Sequence, residues 1–256
     1  MKSKIYQIAL FSFEMICLSI IFIVCMLFTV ASISNMLMSK RVKDFIDSAT
    51  FEREMNDIRY YSVECDDLDE ETIVIKEPDG RFFESPDLGT AGDIYVMPQS
   101  RIEYFPMLSS FISYLFGGHA GVITENQMLV EAMGGTSEEG YVYWYNTDLL
   151  REERTVIGLR VDAPIEDRKQ ASSNAMSLIG KKYNYWFIFN TKDKYYCMDI
   201  CSRIYSKQFG LDYKLDSNGF HVTVQDLFHN KNTKISFVKY IHGDKTYIYY
   251  LKKSNK

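Results

Sequence analysis

The longest uninterrupted hydrophobic segment of the chain lies close to its N-terminus. Residues 15–33 contain no charged side chain, and residues 8–13 extend the apolar run backwards across Glu14. A helix needs roughly 20 apolar residues to cross the hydrocarbon core of a bilayer, so this segment predicts a transmembrane helix. A cleaved signal peptide is the alternative, but the run exceeds the about 7–15 residues of a signal core, and residues 29–31 form a weak cleavage motif. We therefore predict a membrane anchor.

The charges that flank this segment bear on its orientation. Lys2 and Lys4 precede it, and Lys40, Arg41 and Lys43 follow it, so the positive-inside rule hardly distinguishes the two orientations. A short basic N-terminus before a first helix is typical of a signal anchor. On that basis we predict a single-pass protein whose soluble domain lies on the extracytoplasmic side of the membrane.

The segment after the anchor predicts a second helical stretch. Neither Gly nor Pro occurs before Pro78. Five apolar positions are spaced like one face of a helix: Val42, Phe45, Ile46, Ala49 and Ile58. We therefore expect a juxtamembrane helix that ends near Arg59.

The rest of the chain alternates between short β-rich segments and two helical patterns. The pattern predicts strands over residues 72–76, 93–97, 120–123, 128–132 and 156–161 and a closing hairpin of residues 235–241 and 246–251. Helices are predicted over residues 164–179 and 196–209, ended by Gly180 and Gly210. Because strands and helices do not alternate regularly, the fold class is α+β. We expect an anchor with its flanks (1–41), a juxtamembrane helix and linker (42–88) and one folded domain (89–256).

The composition of the chain argues against some classes of function and structure. The chain has 256 residues, of which 46% are hydrophobic and 15% aromatic, enough for one good-sized core. The net charge is -5 without a long basic run, which argues against nucleic acid as a partner. Five cysteines are too few for a disulfide scaffold in a chain of this length, so we interpret those outside the anchor as thiols.

One of these thiols occupies a position suited to catalysis. Cys197 lies where the second predicted helix begins, and the positive end of a helix dipole favours a thiolate. The free backbone N–H groups of a first turn could also hold an oxyanion. Cys201 lies one turn further along the helix, where we expect a small buried core residue.

Among the four histidines, His119 is the candidate general base. It follows Gly117-Gly118 and opens the predicted strand, so its imidazole can project from a strand end into a cleft. His242 is predicted to lie in a turn and His229 on an exposed helix end.

Glu131 is the candidate third member of a triad, because it lies on the strand expected to pair with the one that His119 opens. If the hairpin loop has three residues, Ile123 pairs with Gln127, and His119 lies directly opposite Glu131 on the same face. A loop of two or four residues would place the two side chains on opposite faces.

Two segments resemble a known superfamily. Residues 180–200, with Gly-Lys-Lys-Tyr-Asn followed by Tyr-Cys-Met-Asp-Ile, resemble the nucleophile segment of NlpC-type papain-like cysteine peptidases. Residues 92–96, 118–123 and 129–132 (Gly-Asp-Ile-Tyr-Val, Gly-His-Ala-Gly-Val-Ile and Leu-Val-Glu-Ala) resemble its histidine segment. The cysteine segment comes second here, as in the circularly permuted branch: the YiiX/YebB-like papain-fold amidases and, more distantly, lecithin retinol acyltransferase.

The resemblance covers roughly residues 89–238, including the stretch Thr-Val-Gln-Asp-Leu at residues 223–227. Met198 and Asp199 replace the Ser and Glu of the relatives' Tyr-Cys-Ser-Glu-Leu-Val motif, and Gly118 stands where many relatives have Ser or Thr. These departures leave the triad types intact but bear on substrate preference.

The resemblance implies a circularly permuted papain-like (NlpC-type) domain that acts as a cysteine hydrolase. Cys197, His119 and Glu131 would form the triad, and Tyr183 would line the cleft and assist the oxyanion, or else serve as a buried aromatic. It implies a thioester intermediate and neither metal nor organic cofactor. The substrate would be a cell-wall (peptidoglycan) peptide or a lipid acyl group.

Two alternatives stay open. His221, rather than His119, could serve as the base in an unpermuted order. The domain could instead be a membrane-tethered binding or scaffold module of the same fold that has lost turnover, for which the Met198 and Gly118 departures are the support.

Overall fold

The computed structural model describes residues 2–66, 68, 74–76, 82–84, 89–98, 114, 117–125, 128–134, 141–146, 154–187, 193–216 and 221–254. Within these, the side chains of residues 2–9, 74–76, 82–84, 145 and 146 are not described. The described helices are α1 (Lys2–Asp47), α2 (Ile165–Ser177), α3 (Cys197–Arg203) and α4 (Val224–His229), with a 3₁₀ turn at Lys207–Phe209. The described strands are β1 (Thr50–Met55), β2 (Ile58–Cys65), β3 (Val74–Lys76), β4 (Phe82–Glu84), β5 (Ile94–Met97), β6 (His119–Ile123), β7 (Met128–Met133), β8 (Tyr141–Asn146), β9 (Thr155–Val161), β10 (Lys182–Tyr183), β11 (Lys194–Tyr195), β12 (Thr233–His242) and β13 (Lys245–Lys253).

The predicted apolar segment lies within α1, a single helix of 46 residues. At 1.5 Å per residue it is about 69 Å long, more than twice the thickness of a hydrocarbon core. Its large apolar side chains from Leu10 to Leu37 are mostly exposed. Of the described helices, α1 is long and apolar enough to cross a membrane.

The prediction of a juxtamembrane helix ending near Arg59 is wrong. Helix α1 ends at Asp47, and the chain then forms the antiparallel hairpin of β1 and β2. The two residues between these strands, Asn56 and Asp57, both have positive φ angles (49° and 63°). This is the geometry of a two-residue type I′ turn, which Asn and Asp tolerate better than most residues. Ile58 therefore lies in a strand.

A mixed sheet of eleven described strands forms the centre of the domain, in the order β1-β2-β13-β12-β9-β5-β6-β7-β8-β10-β11. The pairs β2–β13 and β10–β11 are parallel, and the other described pairs are antiparallel. The predicted strands within β5, β6, β7 and β9 and the closing hairpin β12–β13 are confirmed. Strands β3 and β4 form a separate two-stranded sheet.

Both predicted helices of the domain are present. Pro164 is the N-cap of α2, and Gly180 follows its end with a φ of 84°. The second predicted helix is shorter than expected: α3 ends at Arg203, and the 3₁₀ turn continues to Gly210, which adopts a left-handed conformation with a φ of 81°. Helix α3 packs on β6 and β7, and this packing positions the candidate site.

The C-terminal part of α1 packs onto the domain. Met38 belongs to the main hydrophobic core, and Val42, Phe45 and Ile46 are half-buried against it. The Arg41 guanidinium donates to the carbonyl oxygens of Phe228 and Thr233. These contacts join α1 to α4 and to the start of β12.

Candidate active site

The helix that begins with Cys197 directly follows an edge strand of the sheet. Strand β10 pairs with β8 and with β11, and β11 leads directly into α3, where Tyr196 is the N-cap and Cys197 the first helical residue. The first i→i−4 hydrogen bond of the helix runs from Ile200 N to Tyr196 O (3.1 Å), and the N-cap side chain makes no capping bond. The N–H groups of the first turn therefore have no intrahelical partner.

Close packing leaves no room for a side chain at either of the two glycines before His119. Gly118 has a φ of 101°, and a Cβ atom there would lie 2.2 Å from the carbonyl oxygen of Met97 and 2.8 Å from Pro98 Cα. A Cβ on Gly117 would lie 2.8 Å from Val224 Cβ on α4. A Ser or Thr at position 118 would not fit this backbone without a rearrangement.

The hairpin register that we predicted is wrong by two residues. Ile123 pairs with Leu129 and Val122 with Val130, and Thr124 N donates to Met128 O (2.8 Å). Five residues (124–128) rather than three therefore lie between the paired Ile123 and Leu129, and continuing the register places Glu131 opposite Gly121 rather than His119. Because the shift is an even number, Glu131 stays on the same face as His119, as its diagonal neighbour.

His119 lies between Glu131 and Cys197. Its Nε2 atom is 2.7 Å from Glu131 Oε2. The charge of Cys197 is the largest of the influences that raise the pKa of the ring, which places the sulfur beside it. Because Nε2 is engaged by the carboxylate, Nδ1 is the nitrogen left for the sulfur. The exposed fractions of Cys197, His119 and Glu131 are 6%, 9% and 2%. The structure thus brings together the three residues predicted from the sequence.

The electrostatics of this cluster favour an imidazolium. Burial alone would lower the pKa of His119, but negative charge on Cys197 and Glu131 and hydrogen bonds to both raise it well above the ordinary 6.5. Burial would raise the pKa of Glu131, but the His119 charge and the hydrogen bonds from His119 and Tyr95 lower it below the ordinary 4.5. The shifts of both pKa values favour a protonated His119 beside an ionised Glu131.

Tyr95 is the residue that the sequence analysis missed. Its hydroxyl donates to the same Glu131 oxygen that faces His119, and the side chain is fully buried. Gly121 makes this possible, since a Cβ there would lie 2.4 Å from the Tyr95 hydroxyl. The signal available in the sequence was the alternation along β5, but its use requires knowing that β5 pairs with β6.

Tyr183 lies at the end of β10, near the cysteine. Its ring packs edge-on against Tyr185 (4.9 Å between centroids) and Phe187 (5.9 Å). Burial, followed by the charge of Cys197, raises the pKa of its hydroxyl. Tyr183 is therefore a packed aromatic whose hydroxyl is influenced by the charge of Cys197, and its role toward an oxyanion stays a prediction.

The sulfur atoms around Cys197 belong to two different environments. Met198 Sδ lies 2.8 Å from Cys197 Sγ. Cys201, fully buried one turn along α3, donates from its thiol to the Cys197 carbonyl (3.3 Å). Burial raises the pKa of the Cys201 thiol well above its ordinary value, which fits the predicted core role.

The other histidines lie elsewhere. His221 stacks on Tyr196 (5.7 Å, 18°), and its Nδ1 atom faces the Phe187 carbonyl. His229 ends α4 and lies 3.1 Å from Ser34 Oγ on α1, while His242 is exposed at the end of β12. Interaction with Cys197 raises the pKa of His119, which makes His119 the candidate partner of the thiol.

The described part of the chain contains no candidate metal site. Among these residues, no group of three or more His, Cys, Asp or Glu side chains is arranged to hold a metal ion. The predicted absence of a cofactor stays a prediction.

A buried cysteine at a helix start, joined to a strand histidine that comes earlier in the chain, is the arrangement of a permuted papain-like hydrolase. The chain belongs to the family of permuted papain-like amidases of the YaeF/YiiX type, C92, whose model matches residues 100–244. This confirms the permuted papain-like fold class and the resemblance to the YiiX-like branch.

Among solved structures, the fold is similar to the crystal structure of metalloprotein yiiX from Escherichia coli O157:H7, with 17% sequence identity and a TM-score of 0.47, over 59% of this chain and 98% of that chain. Among curated proteins, none matches the chain.

Proposed function

We propose that this protein is a membrane-anchored cysteine hydrolase that cleaves an amide or ester acyl bond through a thioester. The observation that carries the proposal is the placement of His119, whose Nε2 atom is 2.7 Å from Glu131 Oε2 and whose pKa is raised by the neighbouring Cys197. Membership of an amidase family supports the same class of reaction.

In the proposed reaction, His119 takes the proton of Cys197 or already holds it in an ion pair with the thiolate. The Cys197 sulfur attacks the acyl carbonyl carbon, and the N–H groups of the first turn of α3 stabilise the oxyanion. The tetrahedral intermediate collapses to a thioester while His119 protonates the leaving amine or alcohol. Water, deprotonated by His119, then attacks the thioester carbonyl and releases the acid and the Cys197 thiol.

Glu131 and Tyr183 have supporting roles in this proposal. Glu131 orients the imidazole and stabilises its charged form, as the third member of a triad does. Tyr183 lines the cleft and assists the oxyanion, a role supported by the influence of the Cys197 charge on the pKa of its hydroxyl.

Two substrate classes fit a cysteine amidase with an apolar helix. A cell-wall peptide suits a domain outside the membrane, and a lipid acyl bond suits a domain held against the bilayer. Incubation of the protein with peptidoglycan fragments and with phospholipid vesicles, followed by mass spectrometry of the products, separates the two classes.

The membrane attachment is also part of the proposal. The exposed apolar surface of α1 supports a single-pass anchor. The short basic N-terminus before the helix is the basis for proposing that the soluble domain lies on the extracytoplasmic side. We further propose that residues 1–41 serve as the anchor with its flanks, 42–88 as the juxtamembrane linker and 89–256 as the hydrolase domain. Within the linker, β1 and β2 extend the hydrolase sheet through β13.

A binding or scaffold module is the second candidate. The close contact of Met198 Sδ with Cys197 Sγ favours this second candidate, because the thioether occupies space beside the sulfur that a substrate carbonyl would need.

A thiol-directed acylating probe tests the nucleophile and separates the two candidates. We expect the wild type and Cys201→Ala to be labelled and Cys197→Ala to lose labelling, with mass spectrometry placing the adduct on Cys197. Cys201→Ala is the matched control, since both cysteines are buried on α3. Equal labelling of Cys197→Ala and the wild type would remove the assignment, and an unlabelled wild type would favour the scaffold module.

A further inference from the structure

The two-glycine turn before His119 lies between two other elements of the domain. A Cβ atom on Gly118 would clash with a carbonyl oxygen at the end of β5. A Cβ atom on Gly117 would lie 2.8 Å from Val224 Cβ and 3.5 Å from Gln225 Cγ, in the first turn of α4. Because both glycines are packed this closely, the position of His119 depends on where α4 lies relative to β5.

Helix α4 is short and takes its position from the elements around it. It has six residues, whereas helices below about 12–15 residues are marginal in isolation. At its C-terminal end, the Phe228 carbonyl accepts a hydrogen bond from Arg41 of α1. Its last residue, His229, has Nε2 3.1 Å from Ser34 Oγ of α1. Helix α1 therefore helps to fix the helix that packs against the glycine turn.

Asn35 of α1 contacts both flanks of the glycine turn. Its Nδ2 atom donates to the Tyr114 carbonyl oxygen (2.8 Å), and Tyr114 precedes Gly117 by three residues in the chain. Its Oδ1 atom accepts from Gln225 Nε2 (2.8 Å), and Gln225 packs on Gly117. One turn earlier on α1, Ser32 Oγ is hydrogen-bonded to the Tyr114 hydroxyl. A single amide thus joins the chain that leads into the turn to the helix that packs against it.

An amide at position 35 is not explained by the helix itself. Ile33, Met36 and Leu37 beside it are exposed apolar side chains, and asparagine is a poorer helix former than alanine or leucine. Apolar contacts further along α1, such as that of Phe45, already dock the helix on the core. Apolar packing is non-directional, whereas two hydrogen bonds from one amide fix both distance and orientation. Asn35 therefore supplies a geometric constraint that packing does not.

We propose that Asn35 of α1 is a positioning residue for His119. Its two hydrogen bonds hold the glycine turn from both sides, and the turn holds the imidazole beside Cys197. The inference rests on the proposed hydrolase function, in which His119 is the base. It makes the proposed membrane anchor a part of the active site, because the anchor supplies a side chain on which the position of the histidine depends. A residue that only docked α1, as Phe45 does, would affect stability and leave the reactivity of Cys197 unchanged.

The test measures two properties of the full-length protein in detergent micelles. One is the rate at which a neutral alkylating reagent modifies Cys197 at neutral pH, and the other is the pKa of the His119 ring, from NMR of isotope-labelled histidines. Asn35→Leu removes both hydrogen bonds, and because leucine is the better helix former, a weakened helix cannot explain a loss. The rate should fall about tenfold. The raised pKa of His119 should fall by about one pH unit, because a displaced imidazole lies further from the two negative charges that raise it.

Two variants of the same helix are the matched controls. Ser34→Ala removes a side-chain contact with His229, at the end of α4 away from the turn, and Phe45→Ala removes an apolar contact with the core. Both should leave the alkylation rate and the pKa of His119 unchanged, although Phe45→Ala should lower the free energy of unfolding. Wild-type values in Asn35→Leu would overturn the proposal, as would an equal change in either control.

A second variant covers the case in which Asn35→Leu does not fold. Gln225→Leu breaks the same hydrogen bond from the side of α4 and should also lower the alkylation rate of Cys197; an unchanged rate would overturn the proposal. His119→Ala is measured in parallel. If it leaves the rate unchanged, the hydrolase function fails and the positioning role falls with it. If His119→Ala lowers the rate and Asn35→Leu does not, the hydrolase function stands and the positioning role alone is rejected.

Discussion

Two buried carboxylates, one just before β5 and one on β7, have partners of opposite character. Asp93, just before β5, is held by Arg160, with Nε 2.9 Å from Oδ1 and Nη2 2.8 Å from Oδ2. Glu131 on β7 is instead held by His119 and Tyr95. Arginine keeps its charge throughout the accessible pH range, whereas histidine gains and loses a proton near neutrality. The first pair can therefore only hold the structure, and the second can also move a proton.

The Asp93 pair extends into a structural network. Thr90 Oγ1 accepts from Arg160 and from Arg168 of α2 (2.9 Å each), and Tyr205 donates to the Gly92 carbonyl (2.8 Å). This network joins α2 and the turn after α3 to β5 and β9. Its loss should affect stability first, whereas loss of the His119 pair should affect activity first.

The largest effect is expected for His119→Ala. Loss of the general base should lower labelling by the acylating probe by about 10²–10⁴-fold. The variant should still fold, because Glu131 keeps its hydrogen bond from Tyr95. Labelling kinetics and circular dichroism measure the two effects; unfolding of the variant, or labelling within twofold of wild type, would contradict the distinction between the two carboxylates.

Asp93→Ala should lower stability and leave the reactivity of Cys197 nearly unchanged. It leaves the buried Arg160 guanidinium without its bidentate partner, which should lower the free energy of unfolding by about 3–5 kcal/mol. Denaturant titration measures this loss. At denaturant concentrations where the variant is folded, the labelling rate of Cys197 should stay close to wild type, and a large fall there would assign Asp93 to the site.

Glu131→Gln should show the pH dependence of the second pair. The raised pKa of His119 adds stability that is fully present below pH 6.5 and is lost as the pH rises through the raised value. The lowered pKa of Glu131 adds stability that is present above pH 4.5 and is lost as the pH falls through the lowered value. The difference in unfolding free energy between wild type and variant should therefore be largest between pH 4.5 and 6.5. A difference that does not change with pH would show that the pair does not titrate as described.

The smallest effect is expected for Tyr95→Phe. The variant removes one hydrogen bond to Glu131, at a cost of about 1 kcal/mol in stability, and should raise the pKa of that carboxyl. Tyr205→Phe is the matched control, because it removes one equally buried tyrosine hydrogen bond away from the site. NMR titration of the Glu131 carboxyl should shift in Tyr95→Phe and not in Tyr205→Phe; equal titrations would deny Tyr95 a positioning role.

Local patterns in the sequence were sufficient for much of the site. The strand opened by His119, the helix that begins at Cys197 and the hairpin that carries Glu131 all follow from periodicity and turn residues. The side-chain face of Glu131 was also predicted, although the register was wrong, because a two-residue shift preserves strand parity.

What the sequence could not supply depends on contacts between distant segments. Tyr95 reaches Glu131 across Gly121, which requires that β5, β6 and β7 are neighbours in the sheet.

The end of α1 at Asp47 was missed for a different reason. A helical face and a strand pair compete in residues 42–65, and the Asn56-Asp57 turn decides for the hairpin. That turn was a readable local signal.

The most direct test of the account is the rate at which a neutral alkylating reagent modifies Cys197, in wild type, His119→Ala and His221→Ala. The account predicts that His119→Ala lowers the rate by about tenfold or more, because the imidazole no longer accepts the thiol proton, whereas His221→Ala leaves it unchanged. An unchanged rate in His119→Ala, or a fall confined to His221→Ala, would contradict the pairing of Cys197 with His119.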